Sequence, residues 1–335
     1  MTQVLQLAAG ADPQAVRAAL MGLGVDSTVA RGAAGAVIVL GPVSRAVPEA
    51  ALGALPGVAA VLGAPSPHPR LDATAGRAVA LRADLAIGPG AAPVLIAGPC
   101  AAESRAQVDE AAAMAAAAGA RVLRGGAYKP RTSPYSFEGV GAEALGWLRD
   151  AADRYGLALA TECLSEADAG RVAEVAELVQ VGSRNMQAFA LLRAVGRTGR
   201  PVLLKRGRAA TLGEWRLAGE HLLAAGAGGV VFCERGVASA EPELRNTFDL
   251  AGAVLLRAHY GLAVVADPSH AAGRRDVIGP LARASLAAGL DGVVVEAHPD
   301  ARAALSDGVQ ALTPGELAAL GRALAPWIGT REVER

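Results

Sequence analysis

Eight strand-length apolar runs, each followed by a stretch rich in Ala and Leu, fill the chain from residue 94 onward: "VLIAG", "RVLRG", "LALATE", "LVQVG", "VLLKR", "GVVFCE", "LAVVAD" and "GVVVEA". Runs so continuously apolar suit parallel strands covered on both faces, because a strand with one wet face would alternate. Eight βα units in roughly 240 residues predict a (β/α)8 TIM barrel, class α/β. An open doubly wound sheet is the alternative, but it usually carries a glycine-rich fingerprint after its first strand. Here "GVGAEALG" has the wrong spacing, and no Walker A sequence occurs.

Residues 1–66 read differently. Up to residue 64 they hold no aromatic residue, no lysine and only six charges: Asp12, Arg17, Asp26, Arg31, Arg45 and Glu49. The pattern is strand "VLQLA", helix 12–23, strand "VDSTVA", strand "AVIVLG", helix 44–53 and strand "VAAVLGA". That order predicts a small ferredoxin-like βαββαβ domain. Residues 67–93 follow as linker and hairpin: "APSPHPR" breaks helix and strand, and "AVALRADLAIG" suits a short hairpin. The barrel domain is then 94–335. So small a domain is marginal alone, and one so poor in charge is expected to pack against another surface.

The formal net charge of zero gives no global case for nucleic acid or an anionic membrane as partner. No apolar run reaches the ~18 residues that a bilayer requires. "MTQVLQLAAGADP" lacks a basic lead and is not read as a signal peptide. Three widely spaced cysteines argue against a disulfide framework and for a reducing cytoplasm.

Only two of the 32 Lys plus Arg residues are lysines, Lys129 in "LRGGAYKPRTSPYSF" and Lys205 in "LLKRG". A compact ammonium can give up a proton and a guanidinium cannot, so two surviving lysines invite a chemical explanation. In a TIM barrel the residues that follow the strands line one mouth. Read in order, they are Cys100, then Arg124 with Lys129 and Arg131, then Glu162, Arg184, Lys205, Arg235, His270 and Glu296, with Asp307 in the region beyond. Both lysines fall in this set, which scattered surface charge would not produce.

The set divides into two chemistries. Cys100, His270, Glu296 and Asp307 offer a sulfur, an imidazole and two carboxylates, a mixture that suits a divalent transition ion better than Mg2+ or Ca2+. No CxxC or HExxH spacing supports a metal by itself; a small buried thiol and a capped loop histidine are the plain alternatives for Cys100 and His270. Cys163 and Cys233 are expected to be buried hydrophobes, and His68, His221 and His259 linker or helix-surface residues. His298, alternating with Glu296 on one strand face, is a candidate to support the metal ligands. The basic group of Arg124, Lys129, Arg131, Arg184, Lys205 and Arg235, with Arg274 and Arg275, requires anions, more readily two phosphates than one.

The motifs "IAGPCAAES", "LRGGAYKPRTSPYSFEGVG", "VQVGSRNMQAFALL", "PVLLKRG", "FCERG", "ADPSHAAGRRD" and "VEAHPDARAALSDGVQAL" together resemble 3-deoxy-D-arabino-heptulosonate 7-phosphate (DAHP) synthase. The form resembled is the short type I enzyme with an N-terminal ferredoxin-like regulatory domain. The resemblance is dense from about residue 75 to 312 and rests on element order alone before that.

The resemblance implies condensation of phosphoenolpyruvate with erythrose 4-phosphate and release of phosphate, the first step of the shikimate pathway. It implies Cys100, His270, Glu296 and Asp307 as ligands of one divalent ion (Mn2+, Co2+, Fe2+, Zn2+ or similar). Arg124, Arg184, Lys205 and Arg235 would hold phosphoenolpyruvate, with its phosphate near Arg184 and Arg235. Arg131, Thr132 and Ser183 would cradle the erythrose phosphate. Lys129, Glu162 and His270 form the catalytic set: Lys129 for proton transfer, on the expectation of a lowered pKa, and Glu162 to steer water. It further implies a homotetramer or homodimer, with Tyr or Phe sensed by the N-terminal domain, which would cover the barrel mouth. Two positions depart from the family pattern, Cys163 in "ATEC" and Ser183 in "VGSRNM", and "STVARGAAG" offers no polar ring for an effector. The alternatives are 3-deoxy-D-manno-octulosonate 8-phosphate synthase, disfavoured by "KPRTS", and a non-catalytic metabolite-binding regulator, which would be expected to have lost a ligand or Lys129.

Overall fold

The computed structural model describes residues 3–32, 35–43, 47–63, 66–130 and 133–328. The chain divides into two compact units, residues 1–69 and 70–335.

The first unit runs β1 (Gln3–Leu7), α1 (Pro13–Gly22), β2 (Val25–Gly32), β3 (Gly35–Val43), α2 (Glu49–Gly53) and β4 (Val58–Gly63). Its sheet has the order β2-β3-β1-β4, with every neighbouring pair antiparallel. Asp12 starts α1 by accepting the Gln14 amide at 2.9 Å, with Pro13 in the first turn where its missing N–H costs nothing. Val16 and Leu20, one turn apart, are buried against Leu5 of β1 and Ile38 of β3. The helix expected over 44–53 is shorter in the structure. Pro48 is extended at the N-cap, and a proline disfavours helix in the residue before it, so the helix begins at Glu49; residues 44–46 lie outside the described residues.

A single turn, α3 (Pro69–Asp72), begins at the division, and its Leu71 amide is capped by Glu220 at 2.8 Å. A hairpin, β5 (Val79–Arg82) and β6 (Leu85–Ile87), follows. Eight parallel strands then alternate with helices: β7 (Val94–Gly98), α4 (Arg105–Ala117), β8 (Val122–Arg124), α5 (Ala142–Arg154), β9 (Ala158–Glu162), α6 (Ala169–Val175), β10 (Leu178–Val181), α7 (Phe189–Gly196), β11 (Pro201–Lys205), α8 (Leu212–Ala225), β12 (Gly229–Glu234), α9 (Leu250–Ala258), β13 (Ala263–Ala266), α10 (Pro268–Ala272), α11 (Ile278–Ala287), β14 (Gly292–Glu296) and α12 (Pro314–Leu324). They close as β10-β11-β12-β13-β14-β7-β8-β9. The structure is thus the (β/α)8 barrel that the apolar runs predict.

Alternation along each strand splits the core in two. Leu95, Leu123, Leu159 and Phe232 face the helices, whereas Ile96, Val122, Leu203 and Val231 face the barrel axis. Leu85 and Ile87 of the hairpin pack with the axial set. Arg82 donates to Leu157 O at 2.7 Å and Val79 lies against Gly229, so the hairpin closes the end at which the strands begin. The opposite end remains for chemistry. There Gly98, at φ 149°, brings β7 so close to β8 that a Cβ would lie 2.1 Å from the Arg124 carbonyl. A side chain at that position would push the strand end of Cys100 away from its neighbour.

Candidate active site

The mouth at the strand C-termini contains a cavity of about 250 Å3. Arg124, Lys129, Glu162, Ser183, Arg184, Lys205, Arg235, His270 and Asp307 all line it. Of the expected substrate residues, Arg131 and Thr132 lie outside the described residues.

On one side, donor atoms of Cys100, Glu296 and Asp307 lie within 4.8 Å of one another. Cys100 Sγ is 3.1 Å from Asp307 Oδ2. Asp307 is the one non-glycine residue with positive φ among the described residues, at 52°; Asp tolerates this region better than most residues, and the turn aims its carboxylate back at the thiol. His270 Nε2 sits 3.2 Å from Glu296 Oε1, at the edge of the same cluster. Cations hold these groups together in the protein alone. Lys129 Nζ donates to Cys100 Sγ at 2.9 Å and to its carbonyl at 3.0 Å. Arg124 reaches Glu296 at 3.0 Å. Burial alone would raise the Glu296 pKa, but His270 and Arg124 hold it well below the usual carboxylate range.

One expectation for Lys129 is corrected here. A lowered pKa was expected from the neighbouring cations, yet the pKa is raised. Burial pulls it down, but Cys100, Glu162 and Glu296 together outweigh burial and Arg124. Lys129 is therefore a held ammonium.

Sequence reasoning passed over Asp267, which is wholly buried at the end of β13. Its Oδ2 accepts from Lys205 Nζ at 2.6 Å and lies 2.7 Å from His270 Nδ1. One carboxylate thus fixes the lysine and turns Nε2 of the histidine towards Glu296. The signal was there: "ADPSH" puts two chemically active residues after a single strand. Arg208 and Arg245 also line the cavity and were missed, because they sit well inside loops and not at strand ends. Arg245 pairs with Asp307 at 3.4 Å and donates to Gln310 at 2.9 Å, and Gln310 donates to Glu296 at 2.5 Å.

Other residues are placed more plainly. The Ser183 hydroxyl lines the cavity but gives its proton to the Arg206 carbonyl at 2.7 Å. Arg274 pairs with Asp276 on the surface, and Arg275 with the Val309 carbonyl; neither lines the cavity. His298 faces Glu103 at 3.5 Å, not Glu296. Glu103 in turn accepts the Leu305 amide at 2.9 Å, two residues before Asp307. Cys163 and Cys233 are fully buried; burial pushes the first thiol up to about 11 and the second further still.

A thiol–carboxylate cluster beside a wall of arginines, at the catalytic end of a (β/α)8 barrel, defines an enzyme of phosphorylated small molecules. The chain belongs to the DAHP synthetase I family, whose model matches residues 72–327. It is 47% identical over 229 residues to phospho-2-dehydro-3-deoxyheptonate aldolase of Thermotoga maritima, covering 68% of each chain. A crystal structure of phospho-2-dehydro-3-deoxyheptonate aldolase (DAHP synthase) from the same organism matches with a TM-score of 0.74 and 36% identity, over 97% of this chain and 96% of that one. A truncated form of the Thermotoga 3-deoxy-D-arabino-heptulosonate 7-phosphate synthase matches with a TM-score of 0.69 and 39% identity, over 75% of this chain and 92% of that one. Similarity to 2-dehydro-3-deoxyphosphooctonate aldolase is weaker: that of Nitratidesulfovibrio vulgaris is 33% identical over 207 residues, 58% of this chain and 75% of the relative.

Proposed function

We propose that the chain condenses phosphoenolpyruvate with erythrose 4-phosphate and water, giving 3-deoxy-D-arabino-heptulosonate 7-phosphate and inorganic phosphate. The observation that carries this reading is the cluster of Cys100, Glu296 and Asp307 within 4.8 Å, directly against a cationic cavity. A buried thiol facing two carboxylates, with an imidazole at its edge, fits one divalent transition ion, Mn2+, Co2+, Fe2+, Zn2+ or similar. Cys100, His270, Glu296 and Asp307 would hold it. When bound, such an ion supplies Lewis acidity for an aldehyde carbonyl.

The residues of the chain carry the other tasks. Arg184 and Arg235 take the phosphate of phosphoenolpyruvate, and Arg124 and Lys205 its carboxylate. Arg131, Thr132 and Ser183 take the phosphate of the aldehyde. C3 of the enol attacks the aldehyde carbon, forming the new C–C bond, and the resulting alkoxide needs a proton. Lys129 is charged and adjacent to the cluster, and donates it. The cationic C2 takes up water, whose proton passes to Glu162. The tetrahedral adduct then breaks the bond between C2 and the phosphate oxygen; phosphate leaves with the electron pair and takes the proton of the C2 hydroxyl, leaving the ketone.

Residues 1–66 act as a regulatory domain that senses Tyr or Phe, residues 67–93 as linker and hairpin, and 94–335 as the catalytic barrel of a homodimer or homotetramer. The enzyme works in the cytoplasm, a reading supported by three cysteines that are all free and buried. No helix among the described residues is long and apolar enough to cross a membrane. Phosphate release from phosphoenolpyruvate, with erythrose 4-phosphate against arabinose 5-phosphate, tests the function. Turnover with the tetrose alone is expected, and preference for the pentose overturns it.

A further inference from the structure

Three arginines on one wall of the cavity, Arg184, Arg208 and Arg235, meet no carboxylate at ion-pair distance among the described residues. Arg235 is only 4% exposed. Its pKa is pushed down by burial and by the neighbouring guanidiniums of Arg245 and Arg208, against the pull of Asp267. Cations crowded in this way repel each other and call for an anion between them.

Arg208 is aimed, not loose. Its carbonyl accepts the Ala238 amide at 2.7 Å, which fixes the backbone. Its Nε donates to Asn246 Oδ1 at 3.1 Å, and Asn246, 1% exposed, is itself anchored by donating to the His270 carbonyl at 3.0 Å. That bond uses the inner nitrogen of the fork and leaves the two terminal nitrogens for the cavity that Arg208 lines. A guanidinium so oriented matches two oxygens of a phosphate.

Resting on the reaction proposed above, we propose that Arg208 is a third arginine of the cradle for the phosphate of phosphoenolpyruvate, and that it binds the same group once it is free inorganic phosphate. Arg184 and Arg235 come from the ends of β10 and β12, and Arg208 from the loop after β11 between them, so the three surround one anion from consecutive strands.

The test compares wild type with Arg208→Met, which keeps the length of the stem, and Arg208→Lys, which keeps the charge but loses the bond to Asn246. The Met variant is expected to raise KM for phosphoenolpyruvate and to weaken competitive inhibition by inorganic phosphate, each by about 10- to 100-fold, the range of a charge-assisted hydrogen bond. KM for erythrose 4-phosphate stays within about twofold, and Lys restores part of the loss. Calorimetric titration with inorganic phosphate reads the site without turnover. If wild type binds phosphate tightly and Arg208→Met weakly, the cradle stands even should the assayed reaction fail. Unchanged phosphate affinity in Arg208→Met overturns the proposal. So does a rise confined to KM for erythrose 4-phosphate, which would give Arg208 to the other substrate.

Discussion

Cys100 and Lys129 touch, and their substitutions separate two roles that sit 2.9 Å apart. A thiolate binds transition ions far better than a hydroxyl, so Cys100→Ser should lose metal and rate together. Metal analysis after desalting checks this, with Cys163→Ser and Cys233→Ser, buried away from the cluster, expected to retain their metal. Lys129→Arg keeps the charge but cannot release its proton, and should lower kcat by ~10²-fold with little change in KM. A wild-type rate would remove Lys129 from proton transfer. Both residues were legible because each follows an apolar strand run in a chain with two lysines and three cysteines. The sign of the Lys129 pKa shift was not. It depends on a thiol and two carboxylates brought alongside by folding, from residues 100, 162 and 296. Asp267 was missed for a related reason: the sequence placed two candidates after one strand, and only geometry shows that one holds the other.

At the scale of elements, the barrel was readable because strand burial on both faces writes itself into uninterrupted apolar runs. The short first unit was read less well, since a single proline, Pro48, decided where a helix begins. What fastens neighbouring elements at the closed end was not readable at all. Glu177, just before β10, accepts from the Leu159 amide at 2.7 Å, from Arg82 of β5 at 2.6 Å and from Arg149 of α5 at 2.9 Å. Burial works against its charge, but these donors hold its pKa below the ordinary value. A depressed carboxylate contributes stability that is present above its unfolded pKa of about 4.3 and is lost as pH falls through the folded value. Glu177→Gln should therefore cost about 1–3 kcal/mol at neutral pH. Its deficit should shrink as pH drops below 4, read by denaturant melts at pH 7 and pH 3.5. An equal deficit at both pH values would assign the loss to packing instead.

For the whole molecule, the division at residue 69 allows the two units to be tested apart. Removing residues 1–69 is expected to leave turnover within about threefold and to abolish inhibition by Tyr or Phe. A ligand changes activity only through unequal affinity for two states, with a coupling of about 1–3 kcal/mol. Rate against Tyr, Phe and Trp concentration, for both forms, is the measurement. If the intact enzyme ignores all three at millimolar concentration, the regulatory assignment falls.

The hairpin that stops the barrel at its lower end has a kinetic consequence. With Leu85 and Ile87 filling that end, traffic in and out shares one doorway. Arg124, Lys205 and Arg235 are each only 4% exposed, so whatever they grip lies at the back of the room. The occupant of the back must enter before the front is taken. Turnover should then follow a compulsory order, phosphoenolpyruvate ahead of the tetrose. Early arrival of the aldehyde would shut the corridor, seen as inhibition at high erythrose 4-phosphate that extra phosphoenolpyruvate relieves.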